Sequence, residues 1–229
     1  LIFRNKTEYH PYKKLLNSQN DFFLNAEPLD KENNENKIYA NKSLIGFATR
    51  NIPHAGHKKI ILDYVLKKKK ILIGIFSNSS NIKSVNNSNI AFTIFKNFIK
   101  KNKLTNIVFL KQLSTPGFLL GPRQASLQAI IMKNLGCSAF IVGRDHSGYK
   151  NFYKEFESYN FCKKNEKKIG IKILKSGSPF YCMKCNKVML RTECNCWKLN
   201  KKFFFDISSS FIRKIDNNAK LKKKYSYLY

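Results

Sequence analysis

Four short apolar runs, each followed by a loop or a helix-length segment, constrain the fold of this chain more than any other feature. LIGFAT (44–49), ILIGIF (71–76), NIVFL (106–110) and SAFIVG (138–143) read as buried strands. Between them, HKKIILDYVLKKKK (57–70) places Ile60, Ile61, Tyr64 and Val65 on one helical face. IAFTIFKNFIKKNK (90–103) reads as a second helix, preceded by the loop SNSSNIKSVNNSN. GPRQASLQAIIMKNLG (121–136) reads as a third, with Pro122 near its start and Gly136 at its end. Strands that alternate with helices of this length predict an α/β fold, a parallel sheet covered on both faces. Ligands of such sheets bind outside the carboxyl ends of the strands.

The flanks read differently. Residues 1–42 are polar and weakly periodic, an extension or the remnant of another domain. The chain begins at Leu1, which suits a fragment or a processed product. Residues 43–170 are expected to form the α/β domain. Beyond about residue 150 the chain is expected to become irregular, with residues 171–229 holding a cysteine cluster and a last short helix. No run approaches the roughly 20 apolar residues of a membrane span, and the opening decapeptide is too polar for a secretory signal. The expected setting is cytoplasmic, or an organelle of an organism with A/T-rich coding sequence.

The formal net charge of +29 invites a nucleic-acid reading. That charge comes from 37 Lys against six Arg, with Asn abundant throughout, which suits solvated lysines spread over the surface. The usual nucleic-acid-binding motifs are absent, and a nucleic-acid partner is not expected. The scarce residues are concentrated instead. Arg50, Arg123, Arg144, Arg213, His54, His57 and His146 all fall within four short motifs.

The first motif is TRNIPHAGH, Thr49 to His57, at a strand-to-helix turn. Two histidines three residues apart on a first helical turn can face one ligand together. The helix terminus adds partial positive charge and free N–H groups, and Gly56 removes a side chain where phosphate must come close. Nucleotidyl transfer needs such groups where charge builds as pyrophosphate leaves. Gly121-Pro122-Arg123-Gln124 opens a helix. Gly143-Arg144-Asp145-His146-Ser147-Gly148 closes the fourth strand. Each sets an Arg beside a Gly, suited to phosphate or nucleotide contact, although either also fits ordinary turn chemistry or an ion pair. In ISSSFIR, Ser208 and Ser209 cap a helix start one turn before Arg213, which suits terminal phosphates as well as an ordinary N-cap.

Cys182, Cys185, Cys194 and Cys196 form two close pairs that suit a tetrahedral, structural Zn²⁺ site, with disulfides as the alternative. Cys137 and Cys162 are isolated and expected to be structural.

Taken in chain order, these motifs resemble the ATP sulfurylase (sulfate adenylyltransferase) family over about residues 44–213. The matching elements are Thr49-Arg50-Asn51 with His54 and His57, Gly121-Pro122-Arg123, Gly143 to His146, and Ser208 to Arg213. The resemblance implies a Rossmann-like HxGH nucleotidyltransferase fold with a small zinc-containing C-terminal segment. It implies attack of sulfate on the α-phosphorus of MgATP, giving adenosine 5′-phosphosulfate and pyrophosphate.

By the same resemblance Arg50 neutralises the oxyanion, and Thr49 and Asn51 stabilise the transition state. His54 and His57 hold the phosphates, while Gly121, Arg123, residues 143–146, Ser208, Ser209 and Arg213 seat the nucleotide. The acceptor pocket includes Arg50 and positions 48 and 147. Here Ala48 stands where the family usually has Gln, and Ser147 where it usually has Ala. Pro53 follows Ile52 instead of directly following Asn51. Many microbial members carry Cys-x2-Cys followed by Cys-x-His, with Cys196 at the His position here. ATP and sulfate are the implied partners, Mg²⁺ accompanies ATP, and a homo-oligomer is allowed.

Three alternatives stay open: an adenylyltransferase for another anionic acceptor, a basic zinc-containing RNA-binding module, and a paralogue that binds ATP without turnover. The order of the motifs along the chain favours the enzyme readings.

Overall fold

The computed structural model describes residues 44–77, 82–114, 119–148, 152–196 and 203–207. Five parallel strands form its centre: β1 (Leu44–Thr49), β2 (Lys70–Ser77), β3 (Val108–Ser114), β4 (Ala139–Val142) and β5 (Lys172–Lys175), in the order β3-β2-β1-β4-β5. Helix α1 (Ala55–Leu66) links β1 to β2, and α2 (Ile82–Lys101) links β2 to β3. Helix α3 (Pro122–Asn134) precedes β4; α4 (Glu157–Lys164) and α5 (Glu166–Ile169) precede β5.

The pairing Phe47↔Ile141 sets β1 against β4, and Phe47↔Ile73 sets β1 against β2. Strand order therefore reverses at β1, and a crevice opens between the carboxyl ends of β1 and β4.

The central strands are apolar on both faces because both are covered. Ile45, Ile71, Ile73 and Ile141 pack with Ile60 and Ile61 of α1 and Phe95 and Phe98 of α2. On the opposite face Leu44, Leu72 and Phe140 pack with Ala125, Ala129 and Met132 of α3 and Cys162 of α4. Phe95, Phe140 and Ile61 are fully buried, each contributing roughly 1.5–3 kcal/mol relative to an exposed side chain.

A second, antiparallel sheet follows: β6 (Pro179–Cys182), β7 (Lys187–Leu190) and β8 (Phe204–Asp206), in the order β7-β6-β8. Its small core joins Phe180 to Cys182 and Cys194. This sheet packs against α1 through β6 and β7. No helix among the described residues is long and apolar enough to cross a membrane.

Several elements differ from the sequence reading. Helix α2 begins at Ile82, inside the segment read as a loop. Its inward stripe includes the polar but buried Ser88 before Ala91 and Phe95, so the apolar periodicity starts late. Strand β3 runs on to Ser114 because Lys111 and Gln112 ride at the edge of the sheet, with Gln112 hydrogen-bonded to Asn89 of α2 (2.9 Å). Beyond residue 150, where an irregular chain is expected, the structure forms helices α4 and α5, the antiparallel strands β6 to β8, and the parallel strand β5. It pairs with β4 just past residue 170, the expected start of the cysteine-bearing segment.

Candidate active site

The turn after β1 is built by its own histidines. His54 is the N-cap of α1, and its Nδ1 accepts the Gly56 N–H (3.2 Å) while His57 Nδ1 accepts the His54 N–H (3.3 Å). This reciprocal capping box satisfies backbone donors that the helix leaves open. The two imidazole centroids lie 4.0 Å apart. Spacing alone predicted neighbouring rings, and the structure brings them together.

Because each Nδ1 accepts a hydrogen bond, a neutral ring carries its proton on Nε2. Both rings are held neutral. Burial, reinforced by the nearby His57 and Lys58 charges, pushes His54 down to about 2, and burial pushes His57 down to about 4. The pair is thus a neutral hydrogen-bonding unit at a helix N-terminus with no acidic residue in its first turn.

Gly56 is needed for a reason the sequence did not give. A Cβ there would stand 3.0 Å from the His54 ring and 3.1 Å from Cγ of Pro179. The crowding comes from protein groups.

Thr49 and Asn51 form the local turn, the Thr49 Oγ1 accepting the Asn51 N–H (3.1 Å). Arg50 crosses the crevice and its Nη2 donates to the Gly148 carbonyl beyond β4 (3.3 Å). Its charge reaches the same loop electrostatically. Burial raises the Asp145 carboxyl pKa while Arg50 and Arg144 oppose the rise; burial, aided by Arg50, lowers His146 to about 4.

The loop after β4 is tied to α3. Gly121 N–H donates to the Ser147 carbonyl (2.9 Å). His146 Nδ1 accepts the Gly143 N–H (3.3 Å), leaving Nε2 to donate to Oε1 of Gln128 (2.7 Å). Ser147 Oγ donates to the same oxygen (3.4 Å), and Ser158 Oγ donates to the His146 carbonyl (2.9 Å). Both ring nitrogens of His146 are therefore engaged within the protein, and this histidine braces its loop. Arg144 lies 3.7 Å from Glu155. Ala48 is buried in the apolar layer beneath α3.

Gly121 occupies φ +52°, and a Cβ there would meet the Tyr153 ring at 2.6 Å. Gly121→Ala is expected to destabilise the chain by about 1–3 kcal/mol, read as a lower denaturation midpoint. A Tyr153→Leu background should recover only the steric part.

Histidines held neutral by their surroundings also predict acid lability. Their native pKa values lie below the unfolded value of 6.5, so below that pH the unfolded chain binds more protons and stability falls. His57 and His146 should each remove on the order of 3 kcal/mol by pH 4. Denaturant unfolding between pH 7.5 and pH 4 checks this, and stability that is flat across that range would contradict it.

Sequence reasoning missed Gln128, although Gln124 and Gln128, four residues apart in an apolar helix, were a signal of a polar site beneath α3. Both are buried, and Gln124 Oε1 has no hydrogen-bond partner among the described residues. Ser208, Ser209 and Arg213 lie outside the described residues.

The four cysteines come together. All four Sγ atoms lie within 4.8 Å of one another, with Cys185 at 3.9 Å from Cys194 and 3.8 Å from Cys196. Tetrahedral Zn–S bonds of about 2.3 Å imply S···S edges of about 3.8 Å, whereas a disulfide needs about 2.05 Å. The Cys185 N–H donates to Cys182 Sγ (3.4 Å). The donor set and its spacing fit Zn²⁺, and all four thiols are unbridged.

The fold and its two loops define a doubly wound α/β protein with an HxGH turn at the switch point of its sheet. More specifically, the chain belongs to the ATP sulfurylase family, whose profile matches residues 28–225. It is 34% identical over 164 residues to the sulfate adenylyltransferase of Carboxydothermus hydrogenoformans, covering 67% of this chain and 40% of that protein. It is 30% identical over 185 residues to that of Thermococcus onnurineus, covering 76% of this chain and 45% of that protein. The chain thus spans less than half the length of these curated relatives. Its fold is similar to a solved structure described as the hexameric APS kinase from Thiobacillus denitrificans, with a TM-score of 0.51 and 17% identity, covering 76% of this chain and 32% of the other.

Proposed function

We propose that the crevice between β1 and β4 carries out adenylyl transfer: sulfate attacks the α-phosphorus of ATP and pyrophosphate leaves. The observation that carries this reading is the neutral His54–His57 pair at the N-terminus of α1, beside an Arg50 tied to the loop after β4. The imidazoles supply Nε2–H donors, and the helix end supplies N–H groups and partial positive charge, to the β- and γ-phosphates. Arg50 draws the anionic acceptor toward the α-phosphorus. Thr49 and Asn51 shape the turn beneath it and would stabilise the five-coordinate phosphorus. Gly121, Arg123, Gly143, Arg144 and Asp145 form the nucleotide side, whose loop His146 braces, with Ser208, Ser209 and Arg213 assigned there by motif alone.

The acceptor enters already ionised, so no general base is required. Catalysis rests on positioning and on donors aimed at developing charge. When bound with ATP, Mg²⁺ supplies charge neutralisation on the triphosphate. The cysteines are the only set of three or more close metal-ligating side chains among the described residues, so Mg²⁺ is written as part of the substrate complex. The four thiolates would hold a structural Zn²⁺.

A second reading concerns the acceptor. Ala48 offers no side-chain donor, and the Ser147 hydroxyl is turned to Gln128, so Arg50 carries most of the anion recognition. That arrangement also suits a different oxyanion. The test is pyrophosphate release from MgATP with sulfate against a panel of other oxyanions and phosphorylated acceptors. Sulfate-dependent release supports the first reading. Release with another acceptor alone makes positions 48 and 147 the specificity switch. No release with any acceptor, with ATP still bound, would remove the enzymatic reading.

A further inference from the structure

The cysteine lobe lies against the helix that carries both histidines, and two of its contacts there come from Pro179, on the strand that ends at Cys182, and from Glu193, the neighbour of Cys194. Strand β6 begins at Pro179 and ends at Cys182. Pro179 forms one wall of the narrow space at Gly56, whose other wall is the His54 ring. Glu193 immediately precedes Cys194. Its carboxylate pairs with Lys59 of α1 at 2.8 Å and accepts the Leu190 N–H at 3.1 Å. Lys59 is two residues beyond His57, and the ion pair is partly shielded from solvent, the side chains being 21% and 31% exposed.

The lobe combines three short paired strands with a small apolar cluster. Phe180, Cys182 and Cys194 form one buried cluster, with Cys185, Cys196, Met189 and Phe204 packed partly buried around them, and Tyr181 and Leu190 are buried nearby in the same sheet. The sulfurs that would bind the metal are thus much of that cluster. A segment so built takes its order from whatever holds the sulfurs together.

We propose that the four-cysteine lobe is a brace for the His54–His57 pair, with Glu193 and Pro179 as its positioning residues. Glu193 fixes the height of α1 against the lobe, and Pro179 limits the swing of the His54 ring. This rests on the adenylyl-transfer reading only for its kinetic consequence. The positional coupling is a statement about the folded chain alone.

The test uses the full chain, loaded with Zn²⁺, with the histidine imidazoles labelled for nitrogen NMR. Glu193→Gln keeps an acceptor for the Leu190 N–H and loses only the ion pair. Lys59→Gln removes the pair from the other side, and Pro179→Gly removes the wall. Each variant is expected to move the His54 and His57 ring signals and leave those of His146, braced by Gln128 on another loop, in place. Glu193→Gln combined with Lys59→Gln should resemble either single change, the non-additivity expected of residues sharing one interaction. Chelation of Zn²⁺ should move the same two signals.

In pyrophosphate release, Glu193→Gln should lower kcat by about threefold to tenfold, since small displacements of aligned groups cost rate steeply. Imidazole shifts in a chain that releases no pyrophosphate with any acceptor would support the brace and sink the proposed reaction. Unmoved His54 and His57 signals in all three variants would overturn the brace, whatever the activity.

Discussion

Replacing Arg50 with alanine is expected to lower pyrophosphate release by at least about 100-fold, the scale on which a single preorganised donor to a developing oxyanion acts. Three features place Arg50 at the centre. It follows the carboxyl end of β1, its guanidinium spans the crevice to the Gly148 carbonyl (3.3 Å), and its charge reaches both Asp145 and His146. With Ala48 lacking a polar side chain and Ser147 committed to Gln128, no other side chain assigned to the acceptor brings a positive charge. Arg50→Lys should restore part of the rate, because an ammonium keeps the charge but not the planar fork. The Asp145 carboxyl pKa should rise further in Arg50→Ala, since a charge opposing that rise is gone. Wild-type rate in Arg50→Ala would remove the acceptor role assigned to this residue.

The second large effect is expected from the cysteines. Structural Zn²⁺ sites in small domains contribute apparent binding energies of about 10–16 kcal/mol near neutral pH. In the lobe that would depend on it here, two of the four cysteines, Cys182 and Cys194, make up the buried apolar cluster with Phe180. Cys185→Ala, or chelation, is therefore expected to melt residues 179–196 at room temperature while the five-stranded sheet stays folded. Hydrogen exchange reads the difference: protection should vanish along β6 and β7 and persist in β1 and β2, whose strands are buried between two helical layers. Native mass spectrometry should count one Zn²⁺ per reduced chain. A chelated chain with unchanged exchange along β6 and β7 would show that the lobe stands without metal.

Much of this architecture was legible because its signals are local. β1 and β4 are short apolar runs with clear edges, and each matched its expected position to within a residue. The stretches that escaped notice are those whose burial is masked by polar residues. The part of α2 before Ile90 carries Asn87, Ser88 and Asn89 and turns Ser88 inward, and β5 is a four-residue strand that both begins and ends with Lys. At the candidate site, the spacing of His54 and His57 revealed the pair. Their mutual capping, and the neutrality it shares with burial, could be known only from geometry. Pro179 and Glu193 touch residues far away in the chain, and no single-sequence periodicity records such contacts. Gly56 shows the same limit: the spacing marked it as small, but its neighbours turned out to be a proline and a histidine ring.

The central claim is that bond breaking occurs at the α-phosphorus, and the position of a radioactive label tests it most directly. The chain is incubated with Mg²⁺, sulfate and ATP labelled in either the α- or the γ-phosphate. The α-label is expected in adenosine 5′-phosphosulfate and the γ-label in pyrophosphate, both in amounts that depend on sulfate. Label from the γ-phosphate on the acceptor or in free phosphate, with none from the α-phosphate on sulfate, would contradict it and assign the crevice a different phosphoryl chemistry.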